Sequence, residues 1–311
     1  MTTTMTAAGS IDAIGRGLAP AAETALVAEP FLASPGSWAG APTALLHEGV
    51  FWLAYRLRRP VGQGRGYANV IARSDDGVRF EQVALIHKET FGGESLERPT
   101  LLVDDDGTWR LYVSVATPGT KHWRVDLVEA AEARGLAGAP GRTVLPGGPE
   151  QAVKDPVIVR SGGTWHLWAS CHPLDDPLAT DRMTTEYATS HDGVEWSWQG
   201  TALAGRPGSW DQRGVRVSTV LLDGPNPIAL YDGRANADEN WEEKTGAAVV
   251  EEPGRLRALG DGPIAWSPNG LGGLRYVSAL PLPEGGTRFY YEISRADGAH
   301  ELRTSLVRAA A

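Results

Sequence analysis

Four carboxylates in this sequence stand where a strand-like segment begins or ends. Glu97 and Asp155 precede short apolar segments, and Asp232 and Glu239 follow another. Two carboxyl groups, one protonated and one ionised, can donate and accept the protons of a reaction by general acid–base catalysis. Asp155, beside a lysine, should stay ionised, whereas a carboxyl group shielded by Trp241 would have a raised pKa. The candidate catalytic residues are therefore Asp155, Asp232, Glu97 and Glu239.

Arginines are frequent in the same segments. Guanidinium groups hold carboxylates and phosphates by paired hydrogen bonds, and lysine does not reproduce that planar geometry. This set of arginines therefore indicates an anionic group on the bound molecule. Two histidines and a tryptophan complete the candidate substrate-binding residues, which are Arg98, Arg213, Arg216, Arg234, Arg56, His122, His172 and Trp241.

An internal repeat predicts how these residues are positioned. Pro42, Pro99 and Pro156 lie 57 residues apart, and each leads a short apolar segment, a turn and an aromatic-rich segment. The second halves repeat as well, because Ser74-Asp75-Asp76-Gly77 is matched by Ser190-His191-Asp192-Gly193. Asp-Gly between strand-like segments indicates a hairpin. Each copy therefore reads as about four antiparallel strands.

Two further copies follow. Pro35-Gly36-Ser37-Trp38 recurs as Pro207-Gly208-Ser209-Trp210, an alignment that puts Arg213 where Ala41 stands. A looser copy begins with residues 274–280. Five units of this size fill the chain, and four-stranded repeats of ~40 to 60 residues are typical of propeller blades. The alternative is a β-sandwich, which also has strands at short regular spacing.

The predicted fold is all-β, a five-bladed β-propeller with blades that begin near Trp38, Glu97, Lys154, Arg213 and Gly272. Residues 21–311 are expected to form one domain, after a disordered N-terminal tail at residues 1–20. Residues 24–31 read as a strand. We expect it to complete the last blade, which would otherwise leave a sheet edge exposed.

Composition excludes several classes of protein. The chain of 311 residues has a net charge of −9 and no basic stripe, so no nucleic-acid partner is expected. No apolar run approaches the length of a membrane span, and the N-terminus does not resemble a secretion signal. The single cysteine, Cys171, excludes an intrachain disulfide. These features predict a cytoplasmic protein without a membrane partner.

The propeller architecture brings the candidate residues together. The inner strand of every blade starts at one rim of the central funnel, and the loop after the second strand returns to that rim. The positions expected nearest the axis are Glu97, Arg98, Asp155, Arg213 and Asp232. No metal site or cofactor is expected, since the histidines have no metal-ligating spacing. The sequence leaves open whether an ion binds in the central channel.

The repeated pattern resembles the five-bladed β-propeller glycoside hydrolases, which include the arabinanase and β-xylosidase, invertase and levanase, and mannoside phosphorylase families. Ala41 stands where the arabinanase type has the aspartate base, and Arg213 stands at the comparable place of its acid. Asp155-Pro156 is similar to the Asp-Pro of that type. Glu97 keeps the glutamate of the phosphorylases' Glu-Asp-Pro-Arg. The resemblance covers residues 30–305, but the catalytic carboxylates match no single family.

The resemblance implies a glycoside hydrolase-like enzyme that acts on a small glycoside or a sugar-derived, anionic substrate in the central funnel. Inverting cleavage requires two carboxyl groups roughly 6.5 to 9.5 Å apart. Two alternatives remain open. One is a carbohydrate-binding or sensing propeller without hydrolytic activity, and the other is a non-hydrolytic biosynthetic enzyme on the same scaffold.

Overall fold

The computed structural model describes residues 7–18, 24–60, 62–223 and 225–308. Alternating apolar and polar positions between Gly-rich turns make β-strand the dominant secondary structure of this chain. One α-helix, α1, spans Ala7–Leu18, and short 3-10 helices span Lys88–Phe91, Ala133–Ala137 and Ala237–Glu239. The strands are β1 (Thr24–Ala28), β2 (Trp38–His47), β3 (Val50–Arg58), β4 (Gly66–Ser74), β5 (Glu81–His87), β6 (Leu96–Val103), β7 (Trp109–Ala116), β8 (Trp123–Ala130), β9 (Gly141–Leu145), β10 (Gln151–Ser161), β11 (Thr164–Pro173), β12 (Thr184–Ser190), β13 (Ser197–Leu203), β14 (Gly214–Leu221), β15 (Ile228–Arg234), β16 (Lys244–Glu252), β17 (Arg255–Leu259), β18 (Leu274–Pro281), β19 (Thr287–Ser294) and β20 (His300–Val307).

The strands of the described residues form five antiparallel units of four. Four units run in chain order, as β2 to β5, β6 to β9, β10 to β13 and β14 to β17. The fifth is β18-β19-β20-β1, and a parallel bridge between Trp38 and His300 joins it to the first. The predicted all-β propeller is confirmed. No helix in the described part of the chain is long and apolar enough to cross a membrane.

The N-terminal strand completes the last unit. β1 pairs with β20 in antiparallel register, with Thr24 opposite Ser305 and Ala25 opposite Thr304. The predicted role of this segment is confirmed, although the strand ends at Ala28 rather than at Phe31. Pairing of β20 on both sides removes an edge that could otherwise recruit another chain.

Helix α1 lies within the segment for which the sequence indicates a disordered tail. Ile11, Ile14 and Leu18 follow a helical spacing and are buried, with exposed fractions of 9%, 8% and 1%. They pack in one cluster with Val277 and Phe289 of the last unit. The apolar stripe is short and is interrupted by glycines, so it is a weak signal in the sequence. Residues 1–6, 19 and 20 of the predicted tail lie outside the described residues.

Each inner strand contains a β-bulge at the same place. The register shifts lie between Gly40 and Thr43, Leu96 and Pro99, Lys154 and Val157, Val217 and Thr219, and Arg275 and Ser278. Bulges re-aim side chains and recur beside functional sites. Here three of the bulged residues, Ala41, Asp155 and Tyr276, take a positive φ of 53° to 54°.

The bulges correct one alignment made from the sequence. Val217, and not Arg213, occupies the position of Ala41 in the fourth unit. The cause is four extra residues between Trp210 and its inner strand, which the Pro-Gly-Ser-Trp motif does not reveal. Arg216 consequently takes the position of Lys154 and Arg275 in the other units, and like them it lines the pocket on the axis.

Candidate functional site

A pocket opens on the axis where the inner strands begin, and we call it the funnel pocket. It has a volume of about 30 Å³. Its walls combine the starts of inner strands, the ends of second strands and the loop between β15 and β16. The lining residues are Trp38, Arg56, Glu97, Lys154, His172, Arg216, Arg234, Asn240, Trp241, Glu243, Arg275 and Tyr276.

Glu97 is a carboxylate at the wall of the funnel pocket. One oxygen is paired with Nη1 of Arg56, and the other lies 3.4 Å from Nη1 of Arg58. Burial alone would raise the pKa of Glu97, but the charges of Arg56, Lys154 and Arg58 outweigh it and lower the pKa to about 2. Glu97 is therefore held as an anion.

Two further glutamates anchor the arginines around the pocket. Glu243 is paired with Nη1 of Arg234 and lies 2.6 Å from Nη1 of Arg275. Glu292 lies 2.6 Å from Nη2 of Arg56 and 2.7 Å from Nη2 of Arg275. Burial opposes ionisation of both glutamates, yet the neighbouring guanidinium charges lower the pKa of each. The pairs fix the arginine side chains in rigid positions.

A charged layer closes the channel beneath the pocket; we call it the axial layer. Oδ2 of Asp155 accepts hydrogen bonds from Arg216 Nη1 and from the Tyr276 hydroxyl, both at 3.3 Å. Asp232 accepts from Arg216 Nε at 3.0 Å and from the backbone N–H of Tyr276. Arg98 completes the layer, with Nη2 donating to the Ser218 carbonyl at 2.7 Å. Asp155 and Asp232 are both fully buried.

The axis carries more positive than negative side chains. Among the described residues there, six buried arginines and the mostly buried Lys154 face five buried carboxylates. The cations are Arg56, Arg58, Arg98, Arg216, Arg234, Arg275 and Lys154, and the carboxylates are Glu97, Asp155, Asp232, Glu243 and Glu292. Buried nitrogens of Arg56, Arg58, Arg98 and Arg234 also have no hydrogen-bond partner. Buried N–H groups without a partner and an excess of buried positive charge are both costly, so this region favours an anion.

His172 adds a polar but neutral side chain to the pocket. Nδ1 of His172 donates to the Thr180 carbonyl at 2.9 Å, and Nε2 accepts from the Ser170 hydroxyl at 3.1 Å. Burial, together with the charges of Lys154 and Arg234, lowers the pKa of His172 well below its usual value. His172 therefore adds no positive charge near neutral pH.

Trp241 forms the outer lip of the pocket. It is 42% exposed, and its ring meets Trp38 edge-on at 5.5 Å between centroids. The guanidinium of Arg58 lies over the Trp241 ring at 5.0 Å. Trp241 has φ of 77°, a left-handed conformation that costs energy for a non-glycine residue.

Solved structures with a similar fold include sugar-active proteins. A β-1,2-mannobiose phosphorylase from Listeria innocua has 17% identity and a TM-score of 0.64, covering 87% of this chain and 89% of that chain. The fold is that of the β-propeller glycoside hydrolases and phosphorylases. The GH43_1 enzyme from Xanthomonas citri, in complex with xylotriose, has 12% identity and a TM-score of 0.66, covering 97% and 94%. The sequence matches no protein-family model and no curated protein.

Half of the predicted site residues line the funnel pocket of this propeller. They are Glu97, Arg56, Arg216, Arg234, His172 and Trp241. Asp155 and Asp232, predicted to be catalytic, lie directly beneath in the axial layer. Arg98 also belongs to that layer and borders the channel on its other side.

Three predicted residues have partners away from the pocket. Arg213 holds Asp181 by two hydrogen bonds, of 2.9 and 2.7 Å. Glu239 accepts from Lys244 Nζ at 2.8 Å and from the backbone N–H of Ala235. His122 lies 3.0 Å from the Thr117 hydroxyl. Local partners hold all three side chains, and none of them lines the funnel pocket.

Sequence reasoning missed the contribution of the last unit. Arg275 and Tyr276 take the bulge positions that Lys154 and Asp155 take in the third unit. The fifth copy resembles the other copies only loosely in sequence, and this concealed the equivalence. Alignment of its inner strand with that of the third unit would have revealed it. Glu243 was missed because it follows Trp241 in a loop without a repeat partner. No group of three metal-ligating side chains occurs within the described ranges.

Proposed function

We propose that this chain is a glycoside-active enzyme whose funnel pocket binds a small, sugar-derived, anionic substrate. The observation that carries the proposal is the excess of buried positive charge at the axis of a chain with net charge −9. A neutral sugar would leave that charge uncompensated. A carboxylate or phosphate on the substrate would compensate it through charge-assisted hydrogen bonds.

The lining residues divide into three roles. Arg56, Arg234 and Lys154 bind the anionic group, since each borders the pocket and two of these side chains have unpartnered N–H groups. Glu97 is the carboxylate that faces the reacting centre as a base or a charge stabiliser. Trp241 offers its exposed ring to the apolar face of a sugar. Asp155 and Asp232 support this arrangement electrostatically from the axial layer.

The size of the pocket requires one movement. A volume of about 30 Å³ has room for only about two water molecules, so a sugar ring needs more space. Trp241 is the most exposed of the lining side chains and sits on the loop between β15 and β16. We propose that Trp241 swings outward to admit the substrate and then covers it, as loop residues do in other enzymes.

A second candidate is a binding propeller without turnover. A glycosidase acid needs a raised pKa, whereas arginine charges outweigh burial and lower the pKa of both Glu97 and Glu243. Burial raises the pKa of Asp232, but this residue lies under Arg216 and does not line the pocket. The bound substrate would have to raise the pKa of a pocket carboxyl for hydrolysis to proceed.

Calorimetric titration tests the anionic substrate. We expect glucuronate or glucose 6-phosphate to bind at least about tenfold more tightly than glucose, since hydrogen bonds to charged groups contribute more than neutral ones. Arg234→Met should remove that preference. Arg213→Met is the matched control because Arg213 is held by Asp181 at the rim. Equal affinity for charged and neutral sugars would refute the proposal.

Turnover separates the enzyme from the binding protein. Wild-type protein is incubated with nitrophenyl glycosides that carry a carboxylate or phosphate, and release of nitrophenol is followed. If the protein is an enzyme, we expect release of nitrophenol, at a rate that falls about a hundredfold or more in Glu97→Gln. Saturable binding of these glycosides without any release would favour the binding propeller.

A further inference from the structure

A second pocket lies on the axis, further along the same inner strands, and we call it the far pocket. It has a volume of about 140 Å³, and all five inner strands contribute to its wall. The axial layer separates it from the funnel pocket, and the two pockets share no lining residue. The far pocket therefore opens at the opposite end of the channel.

Arg98 is the charged side chain of the far pocket. The other described lining residues are aliphatic or carry hydroxyl groups, and no carboxylate is among them. Arg98 is 2% exposed, and its Nη2 donates to the Ser218 carbonyl. Its Nε and Nη1 have no hydrogen-bond partner. Burial lowers the pKa of Arg98 to about 10, although Asp155 and Asp232 oppose the shift.

The walls above Arg98 are apolar. Leu45, Leu102, Val159, Val220 and Ala279 line the pocket on different strands. Hydroxyl groups at the same level are already bonded between units, as when Thr43 donates to the Pro99 carbonyl at 2.7 Å. A cavity of roughly 150 Å³ lined by aliphatic side chains accommodates a molecule the size of benzene. The far pocket is thus sized for a ligand of about that many heavy atoms.

We propose that the far pocket is a second ligand site that binds a short aliphatic monocarboxylate. The carboxylate binds the unpartnered N–H groups of Arg98, and the alkyl chain packs against the aliphatic walls. The guanidinium selects a negative charge, and the apolar walls select against a highly hydrated anion. The far pocket shares no lining residue with the funnel pocket and would bind this ligand whatever reaction the funnel pocket performs.

Titration with butyrate tests the site, with butyramide as the uncharged analogue of the same shape. We expect saturable one-site binding of butyrate by calorimetry and at least about tenfold weaker binding of butyramide. Arg98→Met should weaken butyrate binding by a similar factor. Ala279→Leu, which fills the pocket without changing any charge, should also weaken it. Arg213→Met is the matched control and should leave butyrate affinity unchanged, since Arg213 is held by Asp181 outside both pockets.

Several outcomes would overturn the site. These are no saturable binding of butyrate, equal binding of butyramide, or loss of butyrate binding in Arg213→Met with retention in Arg98→Met. Equal competition by chloride would show a site for any small anion and would refute the role of the apolar walls. If Arg98→Met fails to fold, the Ala279→Leu variant tests the site instead, and unchanged butyrate affinity in that variant would refute it.

Discussion

Asp155 shows how one side chain can hold the axis together. Its carboxylate is fully buried and accepts from Arg216 and Tyr276, and Lys154 Nζ lies 3.5 Å from Oδ2. The residue has φ of 54°, a left-handed conformation that aspartate and asparagine adopt more readily than most residues. These contacts favour a supporting role over direct contact with a substrate.

Asp155→Asn keeps the shape and the backbone conformation but removes the charge. We expect the free energy of unfolding to fall by on the order of 3 kcal/mol, because Arg216 and Lys154 lose a buried counter-charge. Ligand affinity per folded molecule should change little. Chemical denaturation and titration of the same preparation measure both quantities. A stable variant that has lost turnover about a hundredfold would instead identify Asp155 as catalytic.

The packing of helix α1 against the last unit can be tested by substituting one residue. Leu18 is 1% exposed and packs against the last unit. Leu18→Ala should lower the free energy of unfolding by about 2 kcal/mol, as for other truncations of buried leucine. The control is Leu26→Ala on β1, where the side chain is 41% exposed and a smaller loss is expected. Equal effects of the two substitutions would contradict the packing of α1.

Strand β1 is tested by truncation. Removal of residues 1–20 deletes α1 but leaves the β1–β20 pairing, whereas removal of residues 1–32 also exposes the edge of β20. We expect a lower melting temperature for the first variant and, in addition, aggregation for the second. Light scattering during a thermal melt distinguishes them. Two equally soluble variants would show that β1 does not protect the edge.

The charged axis gives the whole molecule a predictable response to acid. Arginine charges hold the folded-state pKa of Glu97 at about 2 and lower those of Glu243 and Glu292. Glutamate in the unfolded chain has a pKa of about 4.3. Between the two values the unfolded state binds more protons, so the stabilisation is complete above about pH 5 and is lost as the pH falls towards about 2.

Urea denaturation at a series of pH values measures this response. The free energy of unfolding should decrease steeply from about pH 5 to about pH 2 in the wild type. Glu97→Gln should be less stable at neutral pH. Its free energy of unfolding should also decrease less steeply with falling pH, because residue 97 no longer takes up a proton on unfolding. Identical slopes would mean that Glu97 is not held as an anion by Arg56 and Arg58.

The sequence by itself determined the strands, the hairpins and the number of repeated units. These features depend on neighbours in the chain. In the turn at Ser74 the hydroxyl accepts from the N–H of Gly77 at 2.9 Å, and Ser190 accepts from Gly193 at the same distance. A pattern that creates its own hydrogen bonds within a few residues can be recognised wherever it recurs.

The tertiary structure decided which charged side chains face the funnel pocket. Arg56 and Glu292 are 236 positions apart in the sequence, yet their side chains meet at 2.6 Å. Such pairs depend on the register of several bulged strands. In the fourth unit, four extra residues after Trp210 shift that register. Burial then determines which charges are compensated, because an ion in a low-dielectric interior responds to every charge around it and not only to its neighbours in the chain.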